Sequence, residues 1–279
     1  MIDAHVHVWT LEPDRYPWNQ TLAHVPIPSA PANVEALISK MRVAHVSHAV
    51  LVQPSVYGWD NSYLCDCLDK YPGLFAGVCL VDPHSTHAAD DLRYWCGDRG
   101  CQGVRVNLIA DDDVDWILGT AQQGLWNAAA ELAVPVALQV RSHHAATVAA
   151  LATRRPELRF IIDSLGPDSF HSGAGVRAVK LLAPRENVFF KLLALGQESR
   201  EVFPFRDLWA VYRAMITFVG SHRIVFGSDS PYGQPEGRHE EAMTLLAALP
   251  FLDATARRNI EEITARKLWH FDPQTEGKQ

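Results

Sequence analysis

Short apolar, β-branched stretches alternate along the chain with longer stretches in which apolar residues recur every three to four positions. The first pattern predicts strands and the second amphipathic helices. Eight strands are predicted, at residues 2–8, 48–53, 75–81, 103–108, 134–140, 159–163, 187–192 and 223–228. Helices are predicted at 33–43, 61–71, 88–96, 120–132, 145–153, 175–182, 205–218 and 239–248. Strands that read as nearly continuous apolar runs are buried on both faces, and the helix after each supplies the crossover that parallel strands need. Eight such units predict an α/β fold of the (β/α)8 TIM-barrel type, closed rather than open, in a single domain over residues 1–279.

The segment 9–31 after the first strand is polar, contains proline and carries Tyr16, Trp18 and His24. Loops that follow barrel strands build the active site, so this one is expected either to wall the pocket as a lid or to be a surface excursion. Elsewhere no linker, low-complexity tract or shift in composition divides the chain.

Composition narrows the partners. A hydrophobic fraction of 48% and a charged fraction of 20% are those of an ordinary globular protein. The net charge of -7, with no basic stripe, argues against nucleic acid. No apolar run reaches membrane-spanning length, and a strand beginning at residue 2 leaves no room for a leader, so a cytoplasmic location without a membrane partner is expected. Cys65, Cys67, Cys79, Cys96 and Cys101 include no CxxC pair and are expected to be free, buried thiols. Nothing in the sequence sets an oligomeric state.

Side chains alternate along a strand, which puts Asp3, His5 and His7 on one face and Ile2, Ala4, Val6 and Val8 on the other. The apolar face must meet the helices, so two imidazoles enter the barrel, where a structural histidine has few partners. The same alternation turns Asp229 inward with Val225 and Gly227, and closure sets the eighth strand beside the first. His5, His7 and Asp229 are therefore the candidate catalytic residues, although Asp229 could also cap a following turn. Arg105 points inward and suits bidentate capture of a substrate carboxylate, with an internal salt bridge to Asp163 or another barrel carboxylate as the alternative. Lys191 also points inward, and pairing with Asp163 is the leading reading over contact with an acidic substrate. Gln53, Tyr57, Gln139, Arg141, Ser164 and Tyr232 fall at or beyond strand ends and, with Trp18, are candidate substrate-binding residues.

The stretches Ile2-Asp3-Ala4-His5-Val6-His7 with Trp9, Tyr16-Pro17-Trp18, Gly103-Val104-Arg105, 187–191, Gly227-Ser228-Asp229-Ser230-Pro231 and Thr264-Ala265-Arg266-Lys267-Leu268 cover essentially the whole length. In that order they resemble the amidohydrolase superfamily, and within it the amidohydrolase-2 group that includes L-fuconolactonase and 2-pyrone-4,6-dicarboxylate lactonase. The resemblance implies a hydrolase that opens the lactone of a small sugar acid or dicarboxylate, with Asp229 as base toward water and His5 and His7 around the carbonyl. Its small-molecule partner would be carboxylated or polyhydroxylated. Lactone isomerisation, metal-dependent amide hydrolysis or decarboxylation, and non-catalytic binding of a small acid remain open alternatives.

Two departures bear on a metal. The group usually has a histidine after the sixth strand in an Asp-His-x-Gly element, where this chain reads Asp163-Ser164-Leu165-Gly166. The fifth strand ends with Gln139 and Arg141 where metal-dependent members supply a ligand. No metal is therefore expected to be required. A divalent ion such as zinc would use His5, His7 and Asp229, with His143 or His144 as a further donor.

Overall fold

The computed structural model describes residues 1–19, 27–232 and 239–272. Eight strands run in sequence order round one sheet: β1 (Ile2–Val6), β2 (His48–Val52), β3 (Phe75–Leu80), β4 (Val104–Asn107), β5 (Val136–Gln139), β6 (Phe160–Ser164), β7 (Val188–Leu193) and β8 (Ile224–Gly227). Every consecutive pair is parallel. The ring closes through a bridge between Val6 and Ser230, with the His7 N–H donating to the Ser230 carbonyl at 2.8 Å and the Asp229 N–H to the His5 carbonyl at 2.9 Å. This is the (β/α)8 TIM barrel that the eight-fold alternation predicts.

The helices are α1 (Val34–Val43), α2 (Ser62–Lys70), α3 (Ala88–Arg93), α4 (Gln123–Glu131), α5 (Ala145–Arg154), α6 (Asp168–His171), α7 (Ala174–Leu182), α8 (Trp209–Ala214), α9 (His239–Ala248), α10 (Ala254–Arg258) and α11 (Thr264–Leu268). Local chemistry sets several starts: Asn33 accepts the Ala36 N–H before α1, and Asp253 the Ala256 N–H before α10. Two predicted helices are less regular than their periodicity. Helix 88–96 becomes α3 plus a π-helical turn at Tyr94–Asp98, and 205–218 divides into a 3-10 turn, α8 and a π-helical turn at Met215–Val219. A one-residue widening barely disturbs an apolar stripe, so the pattern does not register it. No described helix is long and apolar enough to cross a membrane.

Two cores result. The outer one, between strands and helices, includes Val6, Leu51, Val104, Leu138, Phe160, Leu192 and Phe226. The inner one fills the barrel with Ile2, Ala4, Val50, Ala76, Ala137, Ile161 and Val225, and Ala265, Leu268 and Trp269 from α11 and the residue after it seal it below.

The uninterrupted alternation expected for the first strand does not hold. Asp3 pairs with Ala49 and Val6 with Leu51, so three steps along β1 match two along β2. This irregularity reverses the phase, placing Ile2 and Ala4 inside the barrel and Val6 and Val8 outside while His5 and His7 still enter the cavity. An extra residue of this kind commonly re-aims side chains near active sites. Asp3 is left at the junction, where its Oδ1 accepts the Ser228 N–H at 2.8 Å and the His5 N–H at 3.3 Å. It supplies a stitch between β8 and β1 where the regular ladder is broken.

Candidate active site

The last residues of β1 and β8 approach closely because β8 ends in glycine. A Cβ on Gly227 would stand 2.6 Å from the His5 Cβ, nearer than carbon atoms tolerate. Two residues on, Asp229 adopts φ +57°, a left-handed conformation that aspartate accepts more readily than most residues. Its Oδ1 lies 3.5 Å from His5 Nε2 and 3.4 Å from His7 Nε2, and the two Nε2 atoms are 3.1 Å apart. Both imidazoles are buried, whereas the Asp229 side chain is 14% exposed, so the carboxylate is the part of the trio that solvent reaches.

The partners of each ring determine where its proton sits. His7 Nδ1 faces the Val52 carbonyl at 2.8 Å; a carbonyl only accepts, so His7 donates from Nδ1 and presents an Nε2 lone pair to the cleft. His5 Nδ1 lies 2.9 Å from Lys191 Nζ; an ammonium only donates, so His5 accepts at Nδ1 and carries its proton on Nε2. Burial first, and then the positive charges of Lys191 and Arg105, hold His5 well below the usual imidazole range, so it stays neutral. Lys191 also pairs with Asp163 Oδ1 at 2.9 Å, and Arg105 Nε lies 2.9 Å from Asp163 Oδ2. One buried carboxylate thus balances two buried cations. Burial pulls Lys191 below the usual ammonium range, with Asp163 opposing that pull.

The structure brings His5, Arg105, Gln139, Asp163, Ser164 and Asp229 to the lining of one cleft of about 100 Å³. Arg105 both pairs with Asp163 and lines this cleft, so the two readings of its role coexist geometrically. Lys191 is fully buried beneath it. Tyr232 sits at the rim, with its ring 5.1 Å from that of His7 and 5.0 Å from that of Trp9. Gln53 donates from Nε2 to the Asp60 carbonyl at 2.6 Å while its buried Oε1 has no hydrogen-bond partner among the described residues, and the Tyr57 hydroxyl meets the backbone of Thr10. Trp18 stacks on Tyr57 at 4.7 Å, so the described part of segment 9–31 packs against the connection after β2. His24 lies outside the described residues. Arg141 and His143 line a neighbouring cavity, and His144 is buried with Nδ1 accepting the Arg141 N–H. The five cysteines are free, four of them buried.

Gln197 escaped the sequence reading. Its amide donates to Asp229 Oδ2 at 3.3 Å from the loop after β7, and its place just beyond a strand end was the only available signal.

His5, His7 and Asp229 could hold a metal by proximity, their ligand atoms lying within 4.8 Å of one another. The hydrogen-bond pattern fits this poorly. With the His5 proton on Nε2, only His7 and Asp229 turn lone pairs inward, one fewer than the three protein ligands a catalytic zinc takes.

A polar trio with a buried cation–carboxylate relay at the C-terminal rim of a (β/α)8 barrel defines an enzyme of the barrel-hydrolase class. The chain belongs to the amidohydrolase family, whose sequence profile, described as Amidohydrolase, matches residues 2–271. It is 31% identical over 245 residues to L-fucono-1,5-lactonase of Burkholderia ambifaria, covering 85% of this chain and 82% of that protein. It is 23% identical over 239 residues to 4-sulfomuconolactone hydrolase of Hydrogenophaga intermedia, covering 82% and 74% respectively. A crystal structure of a probable 2-pyrone-4,6-dicarboxylic acid hydrolase from Acinetobacter baumannii, with citric acid bound, superposes with a TM-score of 0.81 at 21% identity, over 96% of this chain and 98% of that one.

Proposed function

We propose that the protein hydrolyses the lactone of a small sugar acid or dicarboxylate. The observation that carries this reading is the convergence of the Asp229 carboxylate on the Nε2 atoms of His5 and His7 within 3.5 Å, with Asp229, His5 and Arg105 lining one cleft. The named relatives support the bond type, since both act on lactones by their names.

Asp229 takes a proton from water as the water oxygen attacks the ring carbonyl. Negative charge moves to the carbonyl oxygen, where the His5 Nε2–H and the guanidinium of Arg105 stabilise it. Collapse breaks the ring C–O bond, and the proton held by Asp229 passes to the leaving oxygen, directly or through the His7 Nε2 lone pair. The product is an open hydroxy acid, so one water is consumed and Asp229 is regenerated. Gln197 orients the base by donating to its second oxygen.

The test is a lactone panel assayed with and without chelator on the wild type and Asp229→Asn. Turnover is expected to survive chelation and to drop about a hundredfold or more in Asp229→Asn. Full activity in the variant would refute the assignment of the base, and loss on chelation would refute the metal-free route.

A further inference from the structure

Beside the 100 Å³ cleft lies a second cavity of about 470 Å³, and the two share Ile109 and Pro167 in their walls. The cleft alone is well below the roughly 300–1,000 Å³ in which small ligands are usually held, and the two volumes together fall inside that range. The second cavity is built by the loops after β4, β5 and β6, on the same rim as the catalytic trio.

Its wall is largely carbon, from Ile109, Leu165, Pro167 and Ala174. Arg141 is the fixed charge in it. The Arg141 Nε donates to the Ile109 carbonyl at 2.7 Å, which anchors the planar head. Its stem lies over Gly166, which has φ +78° and whose missing Cβ would stand 3.4 Å from the Arg141 Cγ. Among the described side chains no carboxylate pairs with Arg141, in contrast to Arg105, which Asp163 holds. Ser142, also in the wall, already donates to the Leu165 carbonyl and is not free to take a ligand proton acceptor.

We propose that this cavity is a substrate subsite for an apolar arm ending in a carboxylate, carried on the ring that reacts at Asp229. The carbon wall removes the arm from water, and the tethered guanidinium takes the carboxylate with charge-assisted hydrogen bonds. Attaching the arm to a reacting lactone rests on the function proposed above; the binding of an apolar carboxylate to the cavity does not.

The experiment has a binding arm and a kinetic arm, both on the full chain. In the first, 3-phenylpropanoate and its neutral analogue 3-phenylpropanol are titrated calorimetrically into wild type, Arg141→Met, Ala174→Phe and Asp229→Asn. Wild type and Asp229→Asn are expected to bind the carboxylate at least tenfold tighter than the alcohol. Arg141→Met should abolish that preference, and Ala174→Phe, which fills the cavity without touching the charge, should weaken both ligands. In the second arm, a lactone with a carboxylated aryl arm is compared with the same lactone bearing a neutral arm, and the ratio of their kcat/KM values should fall at least tenfold in Arg141→Met. Equal binding of acid and alcohol to wild type, or a preference that survives Arg141→Met, overturns the subsite. If the probes behave as expected while no lactone is turned over, the subsite stands and the lactonase reading falls.

Discussion

Lys191 is an ammonium with a fully buried side chain, held by Asp163 on one side and His5 Nδ1 on the other, with its Nζ 5.9 Å from the centre of the Trp269 ring. By donating to His5 it fixes the tautomer in which Nε2 is a donor toward the cleft. Lys191→Met removes that constraint while Arg105 continues to balance Asp163. We expect the His5 proton to redistribute toward Nδ1, visible in imidazole nitrogen chemical shifts, and turnover to fall on the order of ten- to a hundredfold through loss of the oriented donor. An unchanged His5 spectrum in the variant would mean that Lys191 does not set the tautomer. Strand alternation made Arg105 and Lys191 readable as inward residues, with Asp163 as a candidate partner of each. Which of the open pairings formed depended on side chains from three different strands meeting in one layer.

The β1–β8 junction carries a pH dependence. Burial pushes the Asp3 carboxyl from 3.8 up to about 6, against the opposing hydrogen bonds from Ser228 and His5. A folded-state pKa above the unfolded value means the native protein holds this proton more tightly. The associated stability is fully present below pH 3.8 and is lost as pH rises through about 6, a change of about 3 kcal/mol at 1.36 kcal/mol per pH unit. Asp3→Asn keeps an oxygen to accept the two N–H groups and carries no charge to desolvate. Its melting temperature is expected to lose this acid-side slope and, at pH 7, to exceed wild type by about 5 °C. Thermal melts from pH 4 to pH 8 check this, and equal slopes in the two proteins would exclude Asp3 as the source. At the same scale, the eight strands were legible because doubly buried strands are apolar along their whole length. The irregularity in β1 was not, because one extra residue leaves the apolar run intact and shows only in the register against β2.

At the scale of the whole molecule, the last described helical segment packs against the interior of the barrel. Trp269 is 1% exposed and packs with Ala265 and Leu268 against the inner barrel layer, at the end opposite the cleft. Truncating a large buried aromatic typically costs 3–5 kcal/mol. Trp269→Ala is therefore expected to lower the unfolding free energy extrapolated from urea melts by about 3–5 kcal/mol while kcat, measured where the variant is still folded, changes little. A selective loss of kcat without loss of stability would show that the plug acts on the site. By itself the sequence determined the element types, their parallel order and the histidine and aspartate pair of motifs, because period and residue chemistry are local properties. Only the tertiary structure decided the phase of β1, the protons on His5 and His7, the contact of Gln197 with Asp229 and the cavity under Arg141. Each of those depends on distances between segments far apart in the chain, and such distances exist only once the barrel has closed.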